Sequence, residues 1–71
     1  MGEVLRAPLT GVVFQIITRP GDRVSAGDAV LILESMKMEI PIEASRAAVI
    51  QAIQVVEGQT VQEGEVVAVL E

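Results

Sequence analysis

The chain has 71 residues, which limits it to one small domain near the lower size at which a chain folds alone. Half of its residues (51%) are hydrophobic and almost all of these are aliphatic, while cysteine and histidine are absent, so stability must come from aliphatic packing and not from disulfides or zinc. The net charge of −5 argues against nucleic-acid binding, and no apolar run is long enough to span a membrane.

Short aliphatic segments separated by glycine-containing turns follow one another along the chain. They predict six strands, at Glu3–Ala7, Val12–Thr18, Ala29–Glu34, Met38–Ala44, Val49–Val56 and Val66–Glu71. Helices are not predicted, because no helical periodicity of useful length is present. Many short strands with regular turn signals indicate an all-β sandwich or barrel. The apolar runs are too continuous to predict which face of each strand points inward.

The sequence repeats itself at an offset of 37 residues. The clearest block is Gly21–Asp28, which is echoed by Gly58–Glu65. Recurring glycines usually mark positions where the backbone needs a positive φ or a close approach. Two copies are too few for a solenoid, but they are enough for two halves that pack about a pseudo-twofold axis. We therefore expect a single domain over residues 1–71, with pseudo-repeats at about 1–34 and 38–71.

Lys37 is the only lysine of the chain, and it lies between the two halves. The central segment consists of Glu34, Ser35, Met36, Lys37, Met38 and Glu39. The repeat predicts that the chain reverses here, with the lysine at the tip of a hairpin on a rigid scaffold. The sequence offers no acid/base pair, nucleophile or metal site that could use or activate the amine. The residues thus indicate an acceptor on which another enzyme acts.

Simpler interpretations of these residues remain open. An exposed lysine in a turn is usually only solvated surface, and Met36 and Met38 could be ordinary core residues on one strand face. Glu34 and Glu39 could be merely solvated. The methionine context, the central position and the absence of any other lysine favour a modified amine.

The Met36-Lys37-Met38 triplet with its flanking glutamates resembles the biotin-attachment motif of biotin carboxyl carrier domains. The resemblance extends over essentially the whole chain, including Ala7-Pro8, Gly11 and both glycine turns. It implies a flattened β-barrel, or barrel sandwich, of two four-stranded antiparallel sheets with quasi-twofold symmetry. The attachment lysine would lie in a tight β-hairpin turn. Since nothing is inserted between Phe14 and Pro20, the chain resembles the thumbless, stand-alone type.

The same resemblance implies a function. Lys37 would be biotinylated by a biotin protein ligase, and the biotinyl-lysine would shuttle carboxyl groups between a biotin carboxylase and a carboxyltransferase. Met36 and Met38 would be recognised by the ligase, since flexible thioethers adapt to a partner's pocket. Glu34, Ser35 and Glu39 would flank the turn. The chain would be a carrier without catalytic residues, monomeric and cytoplasmic, in contact with neither nucleic acid nor membrane.

Two departures from the family pattern and two alternative functions accompany this hypothesis. Ser35 stands where many members have alanine. Ala48 stands where members usually keep a glycine and where the first half has Gly11; if a positive φ is needed there, alanine is strained by roughly 1 kcal/mol. A lipoyl carrier shares the fold, but its lysine usually has Asp-Lys-Ala-like surroundings. An unmodified barrel-sandwich module would be expected to have flanking helical hairpins.

Overall fold

The structure, a computed structural model, describes residues 2–71 and consists of eight β-strands. In chain order they are β1 (Glu3–Arg6), β2 (Gly11–Ile16), β3 (Arg23–Val24), β4 (Ala29–Ser35), β5 (Met38–Glu43), β6 (Ala48–Ile53), β7 (Thr60–Val61) and β8 (Val66–Leu70). Met1, at the start of the predicted domain, lies outside the described residues. Residues 2–71 include no helix with the length and hydropathy that a membrane crossing requires.

The strands form two antiparallel sheets of four strands each, in the orders β1-β8-β6-β3 and β5-β4-β2-β7. The predicted architecture of two four-stranded antiparallel sheets is therefore confirmed. Each sheet takes two strands from each half of the sequence, so the halves are interlocked and do not pack as separate lobes. We call the second sheet the hairpin sheet, because it contains both strands that flank Lys37.

Two of the eight strands, β3 and β7, were not predicted from the sequence. β3 and β7 lie inside the segments that were predicted to be turns only. Each is two residues long, which is too short to show a periodic pattern. Each pairs with a strand of the other half, β3 with β6 and β7 with β2.

The pseudo-twofold symmetry extends to individual hydrogen bonds. The amide of Gly27 donates to the carbonyl of Ala44 at 2.9 Å, and 37 residues later the amide of Gly64 donates to the carbonyl of Ala7 at 2.8 Å. Both glycines have a positive φ, at 90° and 88°, where a side chain would be strained. The same holds for Gly21 and Gly58, at 97° and 90°. The repeated glycines thus shape equivalent turns in the two halves.

The core lies between the sheets and is entirely aliphatic. Its largest fully buried side chains are Val13, Val30, Leu31, Leu33, Ile50, Val61, Val67 and Leu70. A β-bulge at Val30 places two consecutive residues, Val30 and Leu31, in the core, and Val67 and Ala68 repeat this in β8. The bulges explain why the apolar runs did not alternate, and hence why the inward face could not be predicted.

A polar cluster holds β1 against the end of the chain. Arg46 Nε donates to Glu3 Oε1 at 3.0 Å, Arg46 Nη2 donates to the carbonyl of Glu71 at 2.9 Å, and the Ser45 hydroxyl donates to Glu3. The hydrogen bond from Ser45 and the nearby guanidinium of Arg46 hold the pKa of Glu3 below its ordinary value. The cluster thus ties the first and last strands together.

Candidate functional site

Lys37 lies in a two-residue loop between β4 and β5. Ser35 and Met38 are the last register partners of the two strands, so Met36 and Lys37 alone make the turn. Their φ angles are 53° and 66°. A positive φ at both central residues is what a type I′ hairpin turn requires. The predicted position of Lys37 at the tip of a hairpin is confirmed.

The turn is built from residues that do not favour it. Type I′ turns prefer Asn-Gly or a similar pair, because a side chain at positive φ costs roughly 1–2 kcal/mol. Met36 and Lys37 are the non-glycine residues with positive φ within residues 2–71. Strain of this kind at an exposed loop is typical of functional sites, so the turn is a candidate site.

Replacing Met36 with glycine should stabilise the domain. Relief of the left-handed strain exceeds the added flexibility of glycine in the unfolded chain, which leaves a net gain of roughly 0.5–1 kcal/mol. Denaturant unfolding measures this change. Met38→Gly is the matched control: Met38 is a strand residue without a positive φ, so glycine there should destabilise. A less stable Met36→Gly variant would show that the turn is not strained.

The side chains around Lys37 face solvent. Met36 is 91% exposed and Met38 63% exposed, so the interpretation of these methionines as core residues is wrong. Lys37 is exposed as well, and Ser35 is partly buried at the base of the turn. Two apolar thioethers held in solvent beside an amine form a small adaptable surface, which suits recognition by another protein.

Glu34 and Glu39 stand directly opposite each other, one residue pair below Ser35 and Met38. Both are exposed. Like charges in register across two strands are unfavourable, so the pair does not stabilise the hairpin. It instead surrounds the base of the lysine turn with negative charge.

Gly11 positions the hairpin from the neighbouring strand, a role that the sequence analysis missed. A Cβ at Gly11 would lie 2.8 Å from the carbonyl oxygen of Glu34 and 3.5 Å from Cβ of Ser35. Gly11 does not have a positive φ, so the reason for glycine here is close approach. Ala48, its counterpart in β6, has no positive φ either, so the condition for strain at Ala48 is not met. Glycine within a strand is a sequence signal for close approach.

Replacing Gly11 with alanine should destabilise the domain by about 1–3 kcal/mol, because β2 and the base of the hairpin must move apart. Thermal or denaturant unfolding checks this. The reverse exchange at the equivalent position, Ala48→Gly, is the control and should cost only the flexibility of glycine, about 0.5–1 kcal/mol. Equal losses in the two variants would contradict the close-approach explanation.

The chemistry available at the hairpin is that of a single reachable amine. Within the part of the chain that the structure describes, no three acidic, histidine or cysteine residues come together as a metal site. The amine can act as a nucleophile toward an activated acyl group that another protein delivers. The geometry therefore fits a site of covalent modification.

Comparison with known proteins points to the same kind of site. Residues 1–70 match the family model described as "Biotin-requiring enzyme". The chain is 37% identical over 70 residues to the biotinylated protein TB7.3 homolog of Mycobacterium leprae, with 99% of each chain covered. It is 41% identical over 58 residues to the biotin/lipoyl attachment protein of Bacillus subtilis, covering 82% of this chain and 80% of that protein.

A solved structure shares the fold. The urea carboxylase of Kluyveromyces lactis contains a segment that superposes with a TM-score of 0.95 and 34% identity. The match covers 100% of this chain but only 6% of the carboxylase. The chain thus corresponds to one small part of that much larger enzyme.

Proposed function

Because the chain belongs to the biotin/lipoyl attachment family, we propose that Lys37 is the residue to which biotin is covalently bound. The observation that carries this proposal is the placement of the only lysine at the tip of a strained hairpin between two exposed methionines. The chain is a carrier domain of the kind found in biotin-dependent carboxylases, and it is not itself an enzyme.

The attachment step is amide formation. A biotin protein ligase would present biotin as its adenylate, and Nζ of Lys37 would attack the carbonyl carbon. AMP leaves with the bonding electrons, and the amine loses its protons to the ligase site or to water. One positive charge disappears, so the formal net charge changes from −5 to −6.

Bound biotin supplies a carrier for an activated carboxyl group. The role of this chain is to hold the carboxyl group on an arm at the end of a rigid scaffold. The carboxyl group then has a high effective concentration at the active sites of both partners. Carboxylase subunits or domains are therefore the partners. In finer detail we propose a biotin carboxylase and a carboxyltransferase as the two sites and a monomeric carrier. The cytoplasm is the proposed compartment, because loading consumes ATP.

A lipoyl carrier is the second candidate function. It is favoured by one observation, the similarity to a protein named for both biotin and lipoyl attachment. The methionines on both sides of Lys37 favour biotin, as does the similarity to a biotinylated protein. The exposed, strained turn of Met36 and Lys37 argues against an unmodified structural module, because such a module does not require these residues at positive φ.

Intact-mass analysis distinguishes these functions. We expect one biotinyl addition after incubation of the chain with biotin, ATP and a purified bacterial biotin protein ligase. A parallel incubation with lipoate, ATP and a lipoate ligase should leave the mass unchanged. A gain only with lipoate would assign the lipoyl function, and no gain in either incubation would contradict modification altogether.

The residues next to Lys37 are proposed to serve ligase recognition. Met36→Leu or Met38→Leu should slow biotinylation several-fold without unfolding the domain, because leucine keeps the apolar character but not the flexibility of the thioether. Initial rates of biotin incorporation measure the effect. Glu34, Ser35 and Glu39 are proposed to flank the turn. Unchanged rates in both leucine variants would remove the methionines from the recognition site.

A further inference from the structure

The internal symmetry provides a built-in comparison between the two sheets. The positions of the hairpin sheet in β2, in β7, in β4 up to Glu34 and in β5 from Glu39 each have a counterpart 37 residues away in the other sheet. The fold acts alike on both members of such a pair. A chemical difference between exposed counterparts therefore marks a feature that the fold does not require, such as a surface for a partner.

Charge is the first such difference. The strands of the hairpin sheet carry three glutamates and no arginine, whereas those of the other sheet carry Glu3, Arg6 and Arg23. The contrast is sharp in the row one residue pair below Ser35 and Met38, whose register partners are Glu39, Glu34, Val12 and Thr60. All four are exposed, and their counterparts are Gly2, Glu71, Val49 and Arg23. Two carboxylates thus correspond to one carboxylate and one guanidinium.

Phe14 is the second difference. It is the only aromatic residue of the chain, and it is 47% exposed at the bulge of β2. Gln51 occupies the equivalent bulge of β6, so the fold accepts a polar residue at this position. A bulge removes its residue from the regular ladder and redirects the side chain. Exposed Val12 and partly buried Ile32 lie on the same face beside Phe14.

We propose that one face of the hairpin sheet is the docking surface for the biotin protein ligase. We call it the hairpin face, and it consists of Val12, Phe14, Ile32, Glu34 and Glu39. This inference rests on the proposed function, since it presupposes that Lys37 is loaded. The ligase would present an apolar pocket to the aromatic ring and basic side chains to the two carboxylates. The opposite sheet, with its mixed charges, would remain outside the interface.

The short length of the unmodified lysine side chain favours the ligase, and not a carboxylase, as the partner that binds the hairpin face. Before loading, the amine extends from the turn by no more than its own side chain. The ligase active site must therefore come up to the hairpin, and the sheet face that begins at Glu34 and Glu39 adjoins it. A carboxylase meets the far end of a longer arm and has less need to touch the scaffold.

The test uses Phe14→Gln, which installs the residue that the fold already accepts at the equivalent bulge. With a purified bacterial biotin protein ligase, KM for the carrier should rise roughly tenfold while kcat stays unchanged, because the substitution weakens docking and does not alter the reacting amine. The matched control is Val4→Gln, the same kind of change at a 43% exposed position of the other sheet. Its KM should equal that of the unmodified sequence.

A competition measurement separates docking from chemistry. Lys37→Arg cannot be loaded but keeps the hairpin face, so it should inhibit biotinylation of the original chain. Adding Phe14→Gln to that competitor should weaken its inhibition roughly tenfold. High salt should also raise KM, because the proposed interface pairs acidic with basic groups.

Three results would overturn the docking surface while leaving the proposed function intact. These are an unchanged KM in Phe14→Gln, equal effects of Phe14→Gln and Val4→Gln, or a dimer in sedimentation that Phe14→Gln dissociates. The last would assign the hairpin face to a second copy of the chain. A failure of the proposed function looks different, because the original chain would then not be biotinylated at all.

Discussion

Replacing Lys37 with arginine should abolish biotinylation completely while leaving the domain folded. Arginine retains the positive charge and the long side chain, but its guanidinium is protonated at all accessible pH values and cannot form the amide. The chain has no second lysine that could substitute. The expected intact mass after incubation with ligase, biotin and ATP is that of the unmodified variant.

The stability of the same variant provides its control. Because Lys37 is exposed at the tip of the turn, the free energy of unfolding should change by less than about 0.5 kcal/mol. A folded Lys37→Arg variant that still gained one biotinyl group would place the attachment elsewhere, and the α-amino group would be the first place to look.

The largest loss of stability is expected from the two leucines that the repeat makes equivalent. Leu33 and Leu70 are both fully buried, in β4 and β8. Truncation of a buried leucine to alanine lowers the free energy of unfolding by about 2–5 kcal/mol, because the removed methyl groups no longer contribute hydrophobic burial and because a cavity remains. Domains of this size have only about 4–10 kcal/mol in total. Either change would therefore remove a large share of the stability.

Denaturant unfolding of Leu33→Ala and Leu70→Ala measures this loss and also tests the symmetry. If the two halves share one core with equivalent packing, the two losses should agree to within about 1 kcal/mol. A loss confined to one variant would show that the sequence repeat is not matched by equivalent packing. Loading at Lys37 should fall in parallel with the folded fraction.

The hairpin was predictable because two independent signals converge on it. The repeat places Lys37 at the junction of the halves, and the flanking strands have clear aliphatic patterns. The exposure of Met36 was expected only from the family resemblance, which implies contact with a ligase. Methionine is an apolar residue that is usually buried. Met36 lies in solvent because the backbone of the turn is left-handed, and residue preferences do not predict a left-handed backbone at methionine.

The pairing between the halves was also beyond the sequence. The repeat predicts two halves that pack together, but it does not predict that β3 and β7 each pair with a strand of the other half. Strand pairing between distant residues depends on tertiary packing and not on local preference. For the same reason the sequence did not predict the role of Gly11, which depends on the close approach of the Glu34 carbonyl oxygen from the neighbouring strand.

The pairing of the first and last strands has a topological consequence. Glu3 lies opposite Leu70 in β1 and β8, just as Ile40 lies opposite Leu33 in β5 and β4. β1 and β8 are thus neighbours in the same arrangement as β5 and β4, which the Met36-Lys37 turn connects. A short turn from β8 to β1 would therefore join these strands as Met36 and Lys37 join β4 and β5, and it would close residues 3–70 into a ring. If such a ring were opened at one of the glycine turns, the order of the strands along the chain would change. The strand pairs of both sheets would stay the same. The place of the lysine along the chain would then depend on the cut, while its place in space would not.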